Sequence, residues 1–439
     1  MRPAPNLYDK RPFVLRSKIC FASSTFTHDP AELYIKFLSP GAAYGPALST
    51  VLADLSRPIR GTNGTAVLDI GITIRGLAAP DSAPRGRAFA HLQHLLASFY
   101  RLLGVTSAGQ SVELDGPGGV DARVFFIDDE NNGTSGENET NDEGCAETSR
   151  TSMGPIIRLA DFTVSGRSWR VVFSLGTVEG DLLLDALTLT LNQQGQPNTA
   201  PIIRKLAGLT GLKLPHVVLE EPEPHPCRHY SVAVGGTFDH LHAGHKLLLT
   251  ATALAVDAAP PGSKPTQRTI IVGITGDELL VNKKYADFLE SWDDRWRGVW
   301  AFLESIIDFA PPLGDQATNT SAGNHIEHVN HPCPNGKYVR VRVSPDLDIK
   351  FVQISDTFGP TITDENISAL VVSKETRSGG KAVNDEREKK GWSKLEIFEV
   401  DVLDIDEDER KGESGENFES KISSTEIRRR QMNLAKGNL

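Results

Sequence analysis

The feature that most narrows the folds open to this chain is the alternation of short apolar runs with helical patterns over residues 228–439. Tyr230–Val234, Thr269–Ile274, Tyr338–Val343, Ile367–Val372 and Leu395–Val402 read as strands. Ala243–Val256, Asp293–Phe309, a polar run ending near Lys390 and a stretch from about Ser424 to Leu434 read as helices. Apolar strands spaced by helices build parallel sheets, because a parallel neighbour needs a long crossover. The expected fold is α/β, a doubly wound parallel sheet. Its ligands would sit at the carboxyl ends of the strands, where strand order reverses. The loops Ala310–Gly336 and Asp401–Ser420 interrupt the pattern.

Residues 1–215 read as a separate, mixed α/β N-terminal domain with no catalytic signature. Val67–Ile74, Val120–Ile127, Arg170–Phe173 and Leu184–Leu191 are its expected strands. A helix over Arg87–Leu103 carries Phe89, Leu92, Leu95, Leu96, Phe99 and Leu103 at helical spacing. Residues of about 128–150 are too polar to bury apolar area and read as a disordered insertion. Residues 216–227, with Glu220-Glu-Pro-Glu-Pro-His-Pro226, read as a stiff linker.

Composition excludes several classes. A formal charge of −11 over 439 residues argues against nucleic-acid binding, which needs a clustered basic face. The four cysteines (Cys20, Cys145, Cys227, Cys333) form no CxxC pair, so neither a zinc knuckle nor a disulfide framework is expected. No apolar run reaches the ~20 residues of a membrane span. The N-terminus carries Arg2, Lys10, Arg11, Arg16 and Lys18 in the manner of a transit peptide, but Pro3, Pro5 and Pro12 break any amphipathic helix. A cytoplasmic location is expected ahead of a mitochondrial one.

The densest chemistry lies in Val234-Gly-Gly-Thr-Phe-Asp-His-Leu-His-Ala-Gly-His245. Gly235 and Gly236 let a phosphate approach the backbone. A helix N-terminus near Ala243 offers free N–H groups and partial positive charge. His242 and His245, three apart, share one face of its first turn, and Thr237 adds a hydroxyl. A helix cap with a core contact, or a metal pair, is the alternative use of these histidines. In Lys421-Ile-Ser-Ser-Thr-Glu-Ile-Arg428, the hydroxyls of Ser423, Ser424 and Thr425 open a helix, and Arg428 follows one turn on. Lys283 or Lys284 after the second strand, and Lys374 with Arg377 after the fourth, supply cations. Asn384 is a candidate for the adenosine side. Trp292, Trp296 and Trp300 read as one packed helix face, Asp239 as an indirect helper and His240 as exposed. The acidic run Asp404–Glu409 reads as a solvated loop rather than an ion site.

The first motif resembles the HxGH signature of the nucleotidyltransferase superfamily. Its form GGTFDHLHAGH is similar to eukaryotic and archaeal phosphopantetheine adenylyltransferases, over roughly residues 228–435. The second resembles the ISSTxIR element that binds the ATP triphosphate. Val372-Ser-Lys-Glu-Thr-Arg-Ser-Gly-Gly380 resembles the VSxETxxGG wording of the same members, with Lys374 where bacterial members carry arginine. The resemblance implies a Rossmann-like sheet and a pantetheine-phosphate adenylyltransferase that joins ATP and 4′-phosphopantetheine to give dephospho-coenzyme A and pyrophosphate. It implies catalytic roles for Thr237, His242, His245 and Lys283. ATP contacts fall to Gly235, Gly236, His242, His245, Arg377, Ser423, Ser424, Thr425 and Arg428. Phosphopantetheine contacts fall to Thr237, Lys283 and Lys374, and Mg²⁺ arrives with ATP rather than through protein ligands.

Two rivals stand beside this reading. One is another HxGH enzyme, a nicotinamide-mononucleotide adenylyltransferase or a cytidylyltransferase, although the latter end in an RTEGxSTS-type motif. The other is a non-catalytic scaffold subunit of a coenzyme A-synthesising complex. No GxxxxGK[ST] loop occurs in the chain, so the dephospho-coenzyme A kinase is expected as a separate partner.

Overall fold

The computed structural model describes residues 15–22, 40–62, 64–74, 84–114, 118–128, 153–165, 167, 169–193, 201–206, 227–259, 266–310, 325–403 and 423–437. Residues 1–14, nearly all of the expected insertion, residues 216–226 of the expected linker and the acidic run 404–420 lie outside them.

The first sheet comprises β1 (Leu15–Ala22), β2 (Ala66–Thr73), β3 (Val120–Asp128), β4 (Ile156–Arg158), β5 (Val171–Leu175) and β6 (Ile202–Leu206). Their order is β4-β3-β2-β1-β5-β6, with every pair parallel. Between them run α1 (Pro40–Ser56), α2 (Gly86–Gln110), α3 (Leu159–Val164) and α4 (Val178–Gln193). The N-terminal half is thus a doubly wound parallel sheet in its own right. β2 is buried along its whole length, as a central parallel strand must be. Leu184–Leu191, expected as a strand, lies within α4. Its alternating Leu and Thr imitate a period of two. The buried residues, however, are Leu183, Leu184 and Leu187, a helical face, while Leu182 and Leu189 are exposed.

The second sheet comprises β7 (Ser231–Gly236), β8 (Arg268–Thr275), β9 (His325–Asn330), β10 (Lys337–Ser344), β11 (Leu347–Ile354), β12 (Ala369–Ser373) and β13 (Glu396–Val400). The helices α5 (Ala243–Leu254), α6 (Trp292–Ile307), α7 (Arg377–Lys389) and α8 (Ser424–Gly437) accompany it. The order is β13-β12-β7-β8-β11-β10-β9. Strands β13 to β11 are parallel, whereas β10 and β9 run antiparallel at the edge. The all-parallel expectation fails there for a local reason. Only Pro345-Asp346 separates β10 from β11, and two residues can close a hairpin but not a crossover. β9 occupies part of the stretch expected to be loop.

Strand order reverses at β7. Val371 pairs with Val234 and Ile274 with Gly236, so β12, β7 and β8 end side by side. The crevice beyond them is where a sheet of this kind binds ligands.

The two halves share one apolar core. The α2 side chains Phe89, Leu92, Leu95, Leu96, Phe99 and Leu103 are buried, as their spacing predicts. This helix packs along α5 and β13, and the Phe89 ring meets Phe398 at 4.6 Å. Phe309, just beyond α6, sits among Phe125, Phe162 and Trp169 of the first sheet's layer. The Arg167 guanidinium lies 4.0 Å over its ring. Trp292, Trp296 and Trp300 are buried on one face of α6, two of them against Phe351. Among the described residues no helix is long and apolar enough to cross a membrane.

Candidate active site

The loop between β7 and α5 is held in a costly conformation. Phe238 and His240 have φ of 50° and 46°, a region that costs side-chain-bearing residues on the order of 1–2 kcal/mol each. A Cβ at position 236 would lie 2.9 Å from the Phe238 ring, so glycine is required where the loop folds over. Between the two strained residues, Asp239 is fully buried. Its Oδ1 accepts the Glu290 N–H at 2.9 Å, and its Oδ2 pairs with Arg428. Its carbonyl accepts the Ser424 hydroxyl at 2.7 Å. Glu290 in turn accepts the His240 N–H at 2.8 Å, and the His240 ring Nε2 meets the Phe288 carbonyl at 2.7 Å. His240, expected to be exposed, is therefore tucked in by these two partners.

His242 is the N-cap of α5, with extended backbone and no side-chain cap. The His242 side chain takes up none of the N–H groups of the first helical turn, which keeps the partial positive charge of the helix end available. The rings of His242 and His245 stack at 3.9 Å with 24° between their planes, and Phe238 lies 5.3 Å from His245. The Nδ1 atoms of both histidines are buried without a hydrogen-bond partner. Burial, with His240 adding, pushes His245 down to about 3. Burial, followed by His245, Lys246 and His240, pushes His242 well below its usual value. Both rings are neutral at pH 7 and offer hydrogen bonds to an oxyanion. Negative charge brought beside them would favour the imidazolium form.

Three segments converge on this loop. At the start of α8, Ser423 Oγ accepts the Glu426 N–H at 3.3 Å, and Ser424 is bonded to Asp239 as described. Arg428, 3 % exposed, clasps the three together. Besides pairing with Asp239, it donates from Nε to the Lys284 carbonyl at 3.0 Å and from Nη2 to Thr425 Oγ1 at 3.1 Å. The bonds given for its guanidinium therefore go to protein. The Lys283 and Lys284 side chains stand exposed on the loop after β8. Thr237 offers its carbonyl to Arg295 Nη1 at 2.7 Å, and Thr275 Oγ1 donates to the Gly236 carbonyl at 3.2 Å.

The cations after β12 leave the neighbouring strand at the same level and pair with carboxylates of and just after β13. Lys374 Nζ lies 2.7 Å from Asp401 Oδ1, and Arg377 pairs with Glu399 of β13. Asn384 uses its whole amide at the other edge of the sheet. Its Nδ2 donates to the Leu395 carbonyl at 3.0 Å and its Oδ1 accepts the Leu395 N–H at 2.7 Å. About two turns down α7, it lies beside the start of β13, at the opposite end of that strand from the crevice.

Two residues of the site escape the sequence reading. Arg295 is buried and bonded to Thr237, to the Glu290 carbonyl at 3.1 Å and to Asp277 at 2.5 Å. Lys246 is buried and bonded to Asp121 of β3 at 2.9 Å. Each is a cation on a helix face that must otherwise be apolar, and that misplacement is the signal that was available. Among the described residues no group of three or more His, Cys, Asp or Glu is disposed to hold a metal. The donors around the crevice suit phosphate oxygens instead.

Residues 34–210 match the family model described as "Domain of unknown function (DUF8446)". The chain is 37% identical over 206 residues to an uncharacterized protein of Schizosaccharomyces pombe, covering 47% of this chain and 49% of that one. It is 34% identical over 214 residues to the phosphopantetheine adenylyltransferase of Saccharomyces cerevisiae, covering 48% and 52%. The chain thus spans about half the length of these two relatives. To the phosphopantetheine adenylyltransferase of Thermococcus gammatolerans it is 30% identical over 197 residues, covering 45% of this chain and 86% of the relative. Imidazoles, hydroxyls and helix N-termini gathered at the switch point of a parallel sheet, and a match spanning nearly all of that relative, lead to one conclusion: the chain belongs to the phosphopantetheine adenylyltransferase family of nucleotidyltransferases.

Proposed function

We propose that the chain is a pantetheine-phosphate adenylyltransferase that makes dephospho-coenzyme A and pyrophosphate from ATP and 4′-phosphopantetheine. What supports this most is the convergence of the His242–His245 turn, the Ser423–Thr425 helix start and the Lys283–Lys284 loop around one buried carboxylate, Asp239. A phosphate monoester has its second pKa near ~6 and is mostly dianionic at neutral pH, so the nucleophile needs no general base. The difficulty is repulsion between two anions, which positioning and charge neutralisation relieve.

In this reading an oxygen of the 4′-phosphate attacks the α-phosphorus of ATP. The bond from that phosphorus to the β-bridging oxygen breaks, and pyrophosphate departs. Thr237 positions the incoming phosphate. His242 and His245 donate hydrogen bonds to the α- and β-phosphates and gain positive character as charge builds. Lys283 bridges the nucleophile and the α-phosphate, with Lys284 beside it. The N–H groups and hydroxyls at the start of α8 receive the leaving pyrophosphate, while Arg428 keeps that helix against the loop. Mg²⁺ carried by ATP would be held mainly by phosphate oxygens and water rather than by side chains of this chain, and would supply further charge neutralisation.

Pyrophosphate release decides the matter. The chain should form pyrophosphate from ATP with 4′-phosphopantetheine, and not from ATP with nicotinamide mononucleotide or from CTP with a phosphorylated alcohol. Release with one of the latter pairs, or with none, would overturn the assignment.

A further inference from the structure

We propose that the N-terminal half sets the position of Lys374, acting from α2 through Asp401. Asp401 follows β13, and one of its carboxylate oxygens holds the Lys374 ammonium at 2.7 Å. Its other oxygen meets the His94 ring Nδ1 at 2.8 Å and accepts Gln93 Nε2 at 3.3 Å. The Asp401 N–H donates to Gln93 Oε1 at 2.9 Å. Two consecutive residues of α2 thus grip both the backbone and the side chain of Asp401. The His94 contact, against the opposing effect of burial and together with Lys374, holds its carboxyl well below the usual carboxylate range. Asp401 therefore stays ionised.

The turn that carries Lys374 is fixed from its own side as well. Ser373 and Thr376 form a reciprocal capping box around it. A lysine has rotamer freedom to lose when it binds a phosphate, and one already held by a carboxylate loses less. A single ammonium N–H suffices for Asp401, which leaves two for a ligand. Arg377 makes the contrast: its partner Glu399 belongs to β13 itself, so its placement stays within the C-terminal half. His94 and Gln93 touch no ligand in this scheme and are positioning residues. The inference rests on the adenylyltransferase reading and on Lys374 facing the phosphate of 4′-phosphopantetheine.

The test is steady-state pyrophosphate release by the full chain, its His94→Ala, His94→Asn and Lys374→Ala variants and the His94→Ala/Lys374→Ala double variant. His94 is half exposed, so its replacement leaves the fold intact. His94→Ala should raise KM for 4′-phosphopantetheine about threefold with kcat unchanged, the scale of an exposed charged contact. His94→Asn, whose amide nitrogen takes the place of Nδ1, should restore KM. On the Lys374→Ala background, His94→Ala should add nothing. An unchanged KM in His94→Ala, or an equal rise with and without Lys374, overturns the inference while the functional reading stands. Absence of pyrophosphate from the parent chain overturns both.

Discussion

Replacing Asp121 by alanine asks how firmly the N-terminal half holds the helix that carries His245. Lys246 follows His245 on α5, and its side chain is 6 % exposed, 2.9 Å from Asp121 Oδ1. Burial pushes the Asp121 carboxyl up, but Lys246 and Arg123 outweigh it and hold it at about 2, down from 3.8. That depression amounts to roughly 2 kcal/mol in favour of the ionised form. Removing the carboxylate forfeits this and takes the paired anion from a buried ammonium, a combined loss of about 3–5 kcal/mol. Unfolding entropy is near 2.1 cal/mol/K per residue, so a chain of 439 residues melting as one unit should lose about 4 °C in Tm.

Differential scanning calorimetry measures the loss, and Asp121→Ala/Lys246→Met supplies the control. With no ammonium left there, the double variant should recover most of the deficit. The sign with pH also follows. The folded value lies below the unfolded one, so the contribution is complete above about pH 4 and disappears as pH falls towards about 2. The variant should be flatter across that window. A Tm equal to the parent's, or a double variant as unstable as the two single losses added together, refutes the reasoning.

His245→Ala should lose about 3–4 kcal/mol of transition-state stabilisation in kcat with little change in Tm, read by single-turnover pyrophosphate release. Retained turnover would remove His245 from the mechanism. Because burial lowers His245 to about 3 from 6.5, the unfolded chain takes up that proton first. Below pH 6.5 His245 should contribute a fall in stability of at most ~1.4 kcal/mol per pH unit, so the slope should be smaller in His245→Gln; equal slopes in Tm against pH would contradict this. Asp239→Asn removes the carboxylate from Arg428 and should cost about 3–5 kcal/mol while raising KM for ATP, since α8 loses its anchor. Lys283→Ala, at an exposed position, should change stability by less than about 0.5 kcal/mol and lower kcat; a normal kcat would pass its role to Lys284.

What the sequence showed and what it hid have different physical origins. β7, β8 and α5 are bounded by glycines and by long apolar runs, so periodicity places them within two residues. The switch point follows from the same alternation. β9 was hidden because His325–Asn330 carries only two apolar residues, Ile326 and Val329, which are three apart and so out of strand period, and Ile326 lies exposed. α4 was misread because Leu and Thr alternate on a helix whose outer leucines stay exposed. At the site, motif spacing located the loop and the helix start but not what holds them. The bond from Arg295 to the Thr237 carbonyl spans 58 residues and the Arg428–Asp239 pair 189, and no local pattern reports a partner at that distance. Arg428 illustrates the limit, since the local motif gives its residue type but not its bonds to Asp239 and to the Lys284 carbonyl.

The core common to both sheets has a mechanical consequence. Swinging one half away from the other would pull the Phe89 ring off Phe398, withdraw Phe309 from its aromatic nest and bare the Lys246 ammonium. Among the described residues these contacts therefore oppose a clamshell opening of the two halves. Local movement beside the carboxyl ends of the strands falls to short, exposed segments. Residues 281–284 after β8 and 374–379 after β12, each exposed throughout, are two such segments.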